Sequence, residues 1–140
     1  MVRRALVLAL GIGLAAGITA AGHDEKHDSV KLLAARDIAE KIDGKEAKAT
    51  AVEVTFEPGQ AGAPHRHPGP AFGYVLEGEY EWAIDDLPAK VLKAGETFYE
   101  PGGCLHRVSR NPGRVKTRVM AWVLHPRDVK EITVPESRKD

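Results

Sequence analysis

The chain has one cysteine, Cys104, so it can form no disulfide within itself. Aromatic residues are few, with two Trp, three Tyr and three Phe among 140 residues. Net charge is also lacking, because 20 Lys and Arg balance 20 Asp and Glu. Nucleic-acid binding needs a clustered basic face, so no nucleic-acid partner is expected. Apolar runs of membrane-spanning length are missing as well. The longest, Ala5 to Ile18, falls short of the roughly twenty residues a spanning helix needs.

That run has the layout of a secretory signal. Arg3 and Arg4 form a basic start, the apolar segment follows, and Thr19-Ala20-Ala21 offers small residues for cleavage after Ala20 or Ala21. The expected location is secreted or periplasmic, with no stable membrane insertion after cleavage. Residues 1–21 are thus assigned to a signal peptide, 22–45 to a leader and N-terminal extension, 46–125 to a single barrel domain, and 126–140 to a C-terminal tail. Within the extension, "GHDEKHDS" from Gly22 to Ser29 is charged and aperiodic. Val30, Leu33, Ala34, Ile38 and Ile42 recur loosely at helical spacing, although the same stretch could lie extended along the barrel.

From Lys45 onward the period is two. Val52, Val54 and Phe56 alternate with Glu53, Thr55 and Glu57, and Pro58-Gly59 ends the run. Short segments of the same kind recur up to Leu124, punctuated by turn signals such as Asp85-Asp86-Leu87-Pro88 and Asn111-Pro112-Gly113. Many short strands with nine prolines and fourteen glycines describe an all-β sandwich or barrel.

The chemistry concentrates in His65-Arg66-His67 and in His106 about forty residues later. Two histidines at i and i+2 of a strand project to one face and can reach one ion. A third from a distant strand would complete a site for a borderline divalent metal. These segments resemble the two signature motifs of the cupin superfamily. The first is carried by Gly59, His65, His67 and Gly78 of "YVLEGE", and the second by Gly95, Pro101, Gly103 and His106, with Asn111 one residue later than the pattern asks. "KLLAARDI" and "HRVSRN" further resemble small secreted single-domain cupins. The resemblance implies a double-stranded β-helix, or jelly-roll barrel, with a short N-terminal extension. It also implies a divalent metal (Zn, Fe, Mn or Ni) held by His65, His67 and His106, and a homodimer pairing through the strand before the first motif. The family's glutamate ligand has no counterpart, since its place falls at Ala71 or Phe72. A site without that carboxylate should hold a hard ion such as Mn²⁺ less well.

Alternation within Phe72 to Leu76 would direct Phe72, Tyr74 and Leu76 inward with the ligands, joined by Tyr80, Trp82 and Ile84 after Gly78. Phe72, Tyr74, Trp82 and Cys104 are accordingly the candidate pocket residues. Cys104 could be a thiolate ligand beside His106 or a small buried hydrophobe. No Asp or Glu is expected inside, which leaves Tyr74 or a metal-bound hydroxide as the base for any catalysis. Three functions are compatible with this pattern: a metal-dependent oxygenase or isomerase of a small molecule, aromatic ones included; a non-catalytic metal or small-molecule binding module of the cell envelope; or a degenerate structural barrel.

Overall fold

In a computed structural model of the chain, residues 28–136 are described. The signal-peptide expectation falls on residues outside that range. Among the described residues no helix is long and apolar enough to cross a membrane. They form ten strands: β1 (Ser29–Ile42), β2 (Lys45–Phe56), β3 (His65–Arg66), β4 (Ala71–Glu77), β5 (Glu79–Ile84), β6 (Lys90–Lys93), β7 (Thr97–Glu100), β8 (Leu105–Arg110), β9 (Thr117–Pro126) and β10 (Val134–Pro135). They make two five-stranded sheets, β1-β2-β9-β4-β7 and β10-β3-β8-β5-β6, whose paired strands are all antiparallel. This is the all-β double-stranded β-helix that the sequence implied.

The segment with loose helical spacing is a strand. Asp43 and Gly44 both take positive φ, 50° and 75°, and Ile42 pairs with Lys45. A two-residue Asp-Gly turn of this kind favours a hairpin, so β1 folds back along β2 and takes its hydrogen bonds there. Two elements, β1 and β10, thus lie outside the 46–125 span read from the sequence. Val134 and Pro135 pair with Arg66 and His65, and Glu136 bonds to the Pro64 carbonyl and to Arg66. The start of the tail is therefore ordered against the strand that carries the first histidine.

The core gathers Phe56, Val75, Tyr80, Trp82, Ile84, Phe98 and Val119 between the sheets. Tyr80 and Trp82 both pack at a tilt against Phe98, with ring centroids 5.4 and 5.8 Å away. The inward placement of Tyr80, Trp82 and Ile84 agrees with the alternation. That of β4 does not. Phe72, Tyr74 and Leu76 are exposed, whereas Ala71 and Val75 are buried and line the interior with Gly73. The physical reason lies in Phe98, whose ring occupies the space where a Gly73 side chain would stand. At residue 73 that ring leaves room for glycine alone, and Ala71 and Val75 share its inward face. The larger rings turn outward, where Phe72 and its cross-strand partner Tyr99 pack 5.0 Å apart.

A methyl group at residue 73 would overlap the Phe98 ring, which is itself 9% exposed and has little room to retreat. Gly73→Ala is therefore expected to destabilise the fold by about 1–3 kcal/mol, the usual cost of overpacking. Urea unfolding would check this, and an unchanged midpoint would contradict the packing described.

Candidate metal centre

His65 on β3 and His106 on β8 are direct cross-strand partners, so their side chains leave the same face of the sheet as neighbours. His67 follows two residues after His65 and returns to that face. The ring centroids of His65 lie 4.8 Å from His67 and 4.9 Å from His106. One ligand atom from each of the three falls within 4.8 Å of the others. The sequence motifs thus converge in space on a group able to hold one metal ion.

The second nitrogens of the first two rings are already engaged. His65 Nδ1 lies 2.9 Å from the Ala63 carbonyl and His67 Nδ1 lies 2.6 Å from the Ile132 carbonyl. A carbonyl only accepts, so each Nδ1 must carry the proton and each Nε2 presents a lone pair. The two Nε2 atoms are 3.2 Å apart. Two facing lone pairs repel unless a proton or a metal ion lies between them, and orientation of the far nitrogen by a carbonyl is the usual support of a metal-bound imidazole. His106 is 4% exposed, with its Nε2 3.2 Å from the Tyr80 hydroxyl, which also bonds Ser109 Oγ at 2.9 Å.

A fourth polar group joins them that the sequence did not signal. Glu100, at the end of β7, is 1% exposed and sits between the imidazoles. Its Oε1 accepts a 2.9 Å hydrogen bond from Trp82 Nε1 and lies 3.2 Å from His106 Nδ1, while its Oε2 lies 3.4 Å from His67 Nε2. The expectation that no carboxylate lies inside is therefore corrected. These histidine contacts are not ion pairs. Burial pushes His106 down to about 3 and lowers His67, so both stay neutral, and burial pushes the Glu100 carboxyl up to about 7. Glu100 Oε2 and His106 Nδ1 have no hydrogen-bond partner. Buried polar atoms left unpaired by the protein are costly, and a cation among them would satisfy both. The donor set therefore fits a metal.

Next to this cluster is a cavity of about 310 Å³. Its wall is mostly apolar, with Val52, Val54, Phe56, Phe98, Val119 and Val123, and the histidines, Glu100 and Ser109 add polar groups. Of the four candidate pocket residues, none lines this cavity. Trp82 serves it indirectly by holding Glu100. Phe72 and Tyr74 face outward at 50% and 41% exposure, so the Tyr74 phenol cannot act inside. Cys104 is half-buried and packs against the aromatic core. Burial raises its thiol to about 11, which keeps it protonated and inert. Asn111 is structural: its Nδ2 donates to the Phe56 and Val115 carbonyls and its Oδ1 accepts from Gly113.

Two facing antiparallel sheets enclosing a histidine cluster and an apolar cavity define a double-stranded β-helix with a candidate metal centre. Residues 52–123 match the cupin domain family, half of the chain, and the chain belongs to that family. It is 39% identical over 72 residues to germin-like protein subfamily T member 2 of Arabidopsis thaliana, a match covering 48% of this chain and 32% of that protein. The chain thus aligns with about a third of that relative's length. Among solved structures, a conserved protein with a double-stranded β-helix domain from Klebsiella pneumoniae superposes with a TM-score of 0.61 at 19% identity, covering 81% of this chain and 87% of that one. A recombinant oxalate oxidase in complex with glycolate gives 0.55 at 26% identity, covering 76% and 54%.

Proposed function

We propose that this chain is a metal-dependent enzyme of the cupin family, in which His65, His67 and His106 hold a divalent cation and a small, largely apolar molecule binds beside it. The observation that carries this is the pair of facing Nε2 lone pairs on His65 and His67, each locked by a carbonyl behind it, with unpaired Glu100 and His106 atoms alongside. A purely structural barrel gains nothing from such an arrangement and would be more stable with an apolar filling. A bound divalent ion supplies Lewis acidity toward an oxygen of the bound molecule.

The rest of the chemistry belongs to the chain. The valines and phenylalanines of the wall exclude water and accept an apolar body, which suits an oxygenase or isomerase substrate with one or two oxygens directed at the histidines. The Tyr80 hydroxyl stays protonated, because burial pushes its pKa far up, and it steadies His106 through the bridge to Ser109. The oxalate oxidase to which this chain is similar was solved with glycolate, a small anion. Here the cavity lining contains no Lys or Arg, and Glu131 stands on its exposed part. A neutral ligand is therefore favoured over a dianionic acid.

The test uses the full chain loaded with Fe²⁺, titrated with neutral 1,2-diols and enols and, separately, with oxalate. Binding of the neutral compounds that disappears when the metal is removed is the expected result. Equal binding with and without metal, or no retained metal, would overturn the proposal.

A further inference from the structure

We propose that Glu100 is the fourth ligand of this centre, supplying from β7 the carboxylate that the first motif lacks. This rests on the metal-binding function above and adds a donor to it. The place where the family pattern puts its glutamate is Ala71 or Phe72, and Ala71 is the direct cross-strand partner of Glu100 in the β4–β7 ladder. Directly paired residues share a face with Cβ atoms about 4.5–5.5 Å apart. A glutamate on β7 can therefore bring its carboxylate to the space that a glutamate at 71 would serve. Ala71, 1% exposed and small, leaves that space open. The carboxylate has in effect crossed the ladder.

Two donor separations agree with coordination of one ion. In a tetrahedral site with bonds of about 2.0–2.1 Å, neighbouring donors stand about 3.3 Å apart. His65 Nε2 to His67 Nε2 is 3.2 Å, and His67 Nε2 to Glu100 Oε2 is 3.4 Å. Glu100 Oε2 has no hydrogen-bond partner although the residue is 1% exposed, so its proximity to His67 is not a hydrogen bond in disguise. The two atoms are close enough to share one ion. The other oxygen is held by Trp82 Nε1, which orients the carboxylate as supporting residues orient ligands elsewhere. The site then spans both sheets, with three imidazoles from the β3–β8 side and one carboxylate from β7. Its added negative charge and hard oxygen donor shift the preference from zinc toward Mn²⁺ or Fe²⁺.

The test is calorimetric titration of the metal-free full chain with MnCl₂ and with ZnCl₂. Glu100→Gln keeps an oxygen to accept from Trp82, so a role confined to supporting that indole predicts no change. Loss of a ligand predicts Mn²⁺ binding weakened by about 100-fold or more, beyond the range for supporting residues, with a smaller loss for Zn²⁺. A swap variant carrying both Ala71→Glu and Glu100→Ala returns the carboxylate to the other side of the ladder. It is expected to recover at least about tenfold in Mn²⁺ affinity over Glu100→Ala alone. Wild-type Mn²⁺ affinity in Glu100→Gln, equal losses for both metals, or no recovery in a swap variant that melts like the wild type would each overturn the proposal. His106→Ala separates the two levels. If it too binds like the wild type, the centre itself is wrong, whereas if it fails while Glu100→Gln binds normally, the three-histidine centre stands without its fourth ligand.

Discussion

His106→Ala is expected to abolish the rise in melting temperature that a divalent metal gives the wild type. A ligand that binds only the folded chain stabilises it by about 2.7 kcal/mol at a hundred times its dissociation constant. For a domain of this size that is roughly 10 °C in Tm. His106 is the donor that neither His65 nor His67 can replace, because it arrives from β8 and is 4% exposed, directly opposite His65. Its loss leaves two imidazoles from one short stretch of chain and an ion that is largely hydrated. The affinity should fall by more than about 100-fold, the upper end for residues that only support a ligand. The comparison is differential scanning calorimetry of each protein with and without metal, because removing a buried ring also lowers the metal-free Tm through lost packing. His23→Ala and His27→Ala serve as controls, since both histidines belong to the charged, aperiodic segment from Gly22 to Ser29 and to neither motif. A metal-dependent shift in His106→Ala equal to that of the wild type would contradict the assigned centre.

The second large effect runs in the opposite direction. Glu100→Gln should stabilise the metal-free protein at alkaline pH. Burial raises the Glu100 carboxyl from 4.5 to about 7, so the folded chain holds its proton longer than the unfolded chain does. The stability linked to this group is fully present below 4.5 and is lost as pH rises to about 7. At 1.36 kcal/mol per unit, the penalty above pH 7 is about 3 kcal/mol. His106 acts with the other sign. Lowered from 6.5 to about 3, it leaves the folded chain binding fewer protons between those values, so stability falls as pH drops through that window. The two windows overlap in mildly acidic solution, so the clean measurements are at pH 8.5 and pH 4 in the presence of a chelator. Glutamine keeps the hydrogen bond from Trp82 and removes the buried charge. The variant should gain about 3 kcal/mol at pH 8.5 and almost nothing at pH 4, read from urea unfolding. Equal differences at the two pH values would mean that the carboxyl does not titrate abnormally. A residue whose removal stabilises the empty fold while weakening metal binding is present for the site and not for the barrel.

Much of this was determined by the sequence alone, and the reason is that short-range geometry is stereotyped. The i, i+2 spacing of His65 and His67 places both on one strand face whatever the rest of the chain does. The period of two from Lys45 to Phe56 and the repeated turn signals define an all-β chain, and the two motif segments indicate which histidine arrives from afar. The alternation of β5 likewise put Tyr80, Trp82 and Ile84 inside. Other features only the tertiary structure decided. Alternation along Ala71 to Glu77 defines two faces but not which one is inward, and hydrophobicity pointed to Phe72, Tyr74 and Leu76. The structure chose Ala71, Gly73 and Val75, because the Phe98 ring from β7 fills the space in front of Gly73 and leaves the interior no room for larger side chains there. Cys104 faced the same ambiguity and went to the core. Glu100 was illegible for a different reason. A carboxylate beside a proline reads locally as a surface residue, and nothing within its own strand shows that register pairs it with Ala71, that Trp82 waits to hold it, or that the His67 and His106 imidazoles stand beside it. Apart from the contact with His106, those relations join residues 18 to 33 positions apart, and only the β4–β7 pairing and the closure of one sheet over the other bring them together.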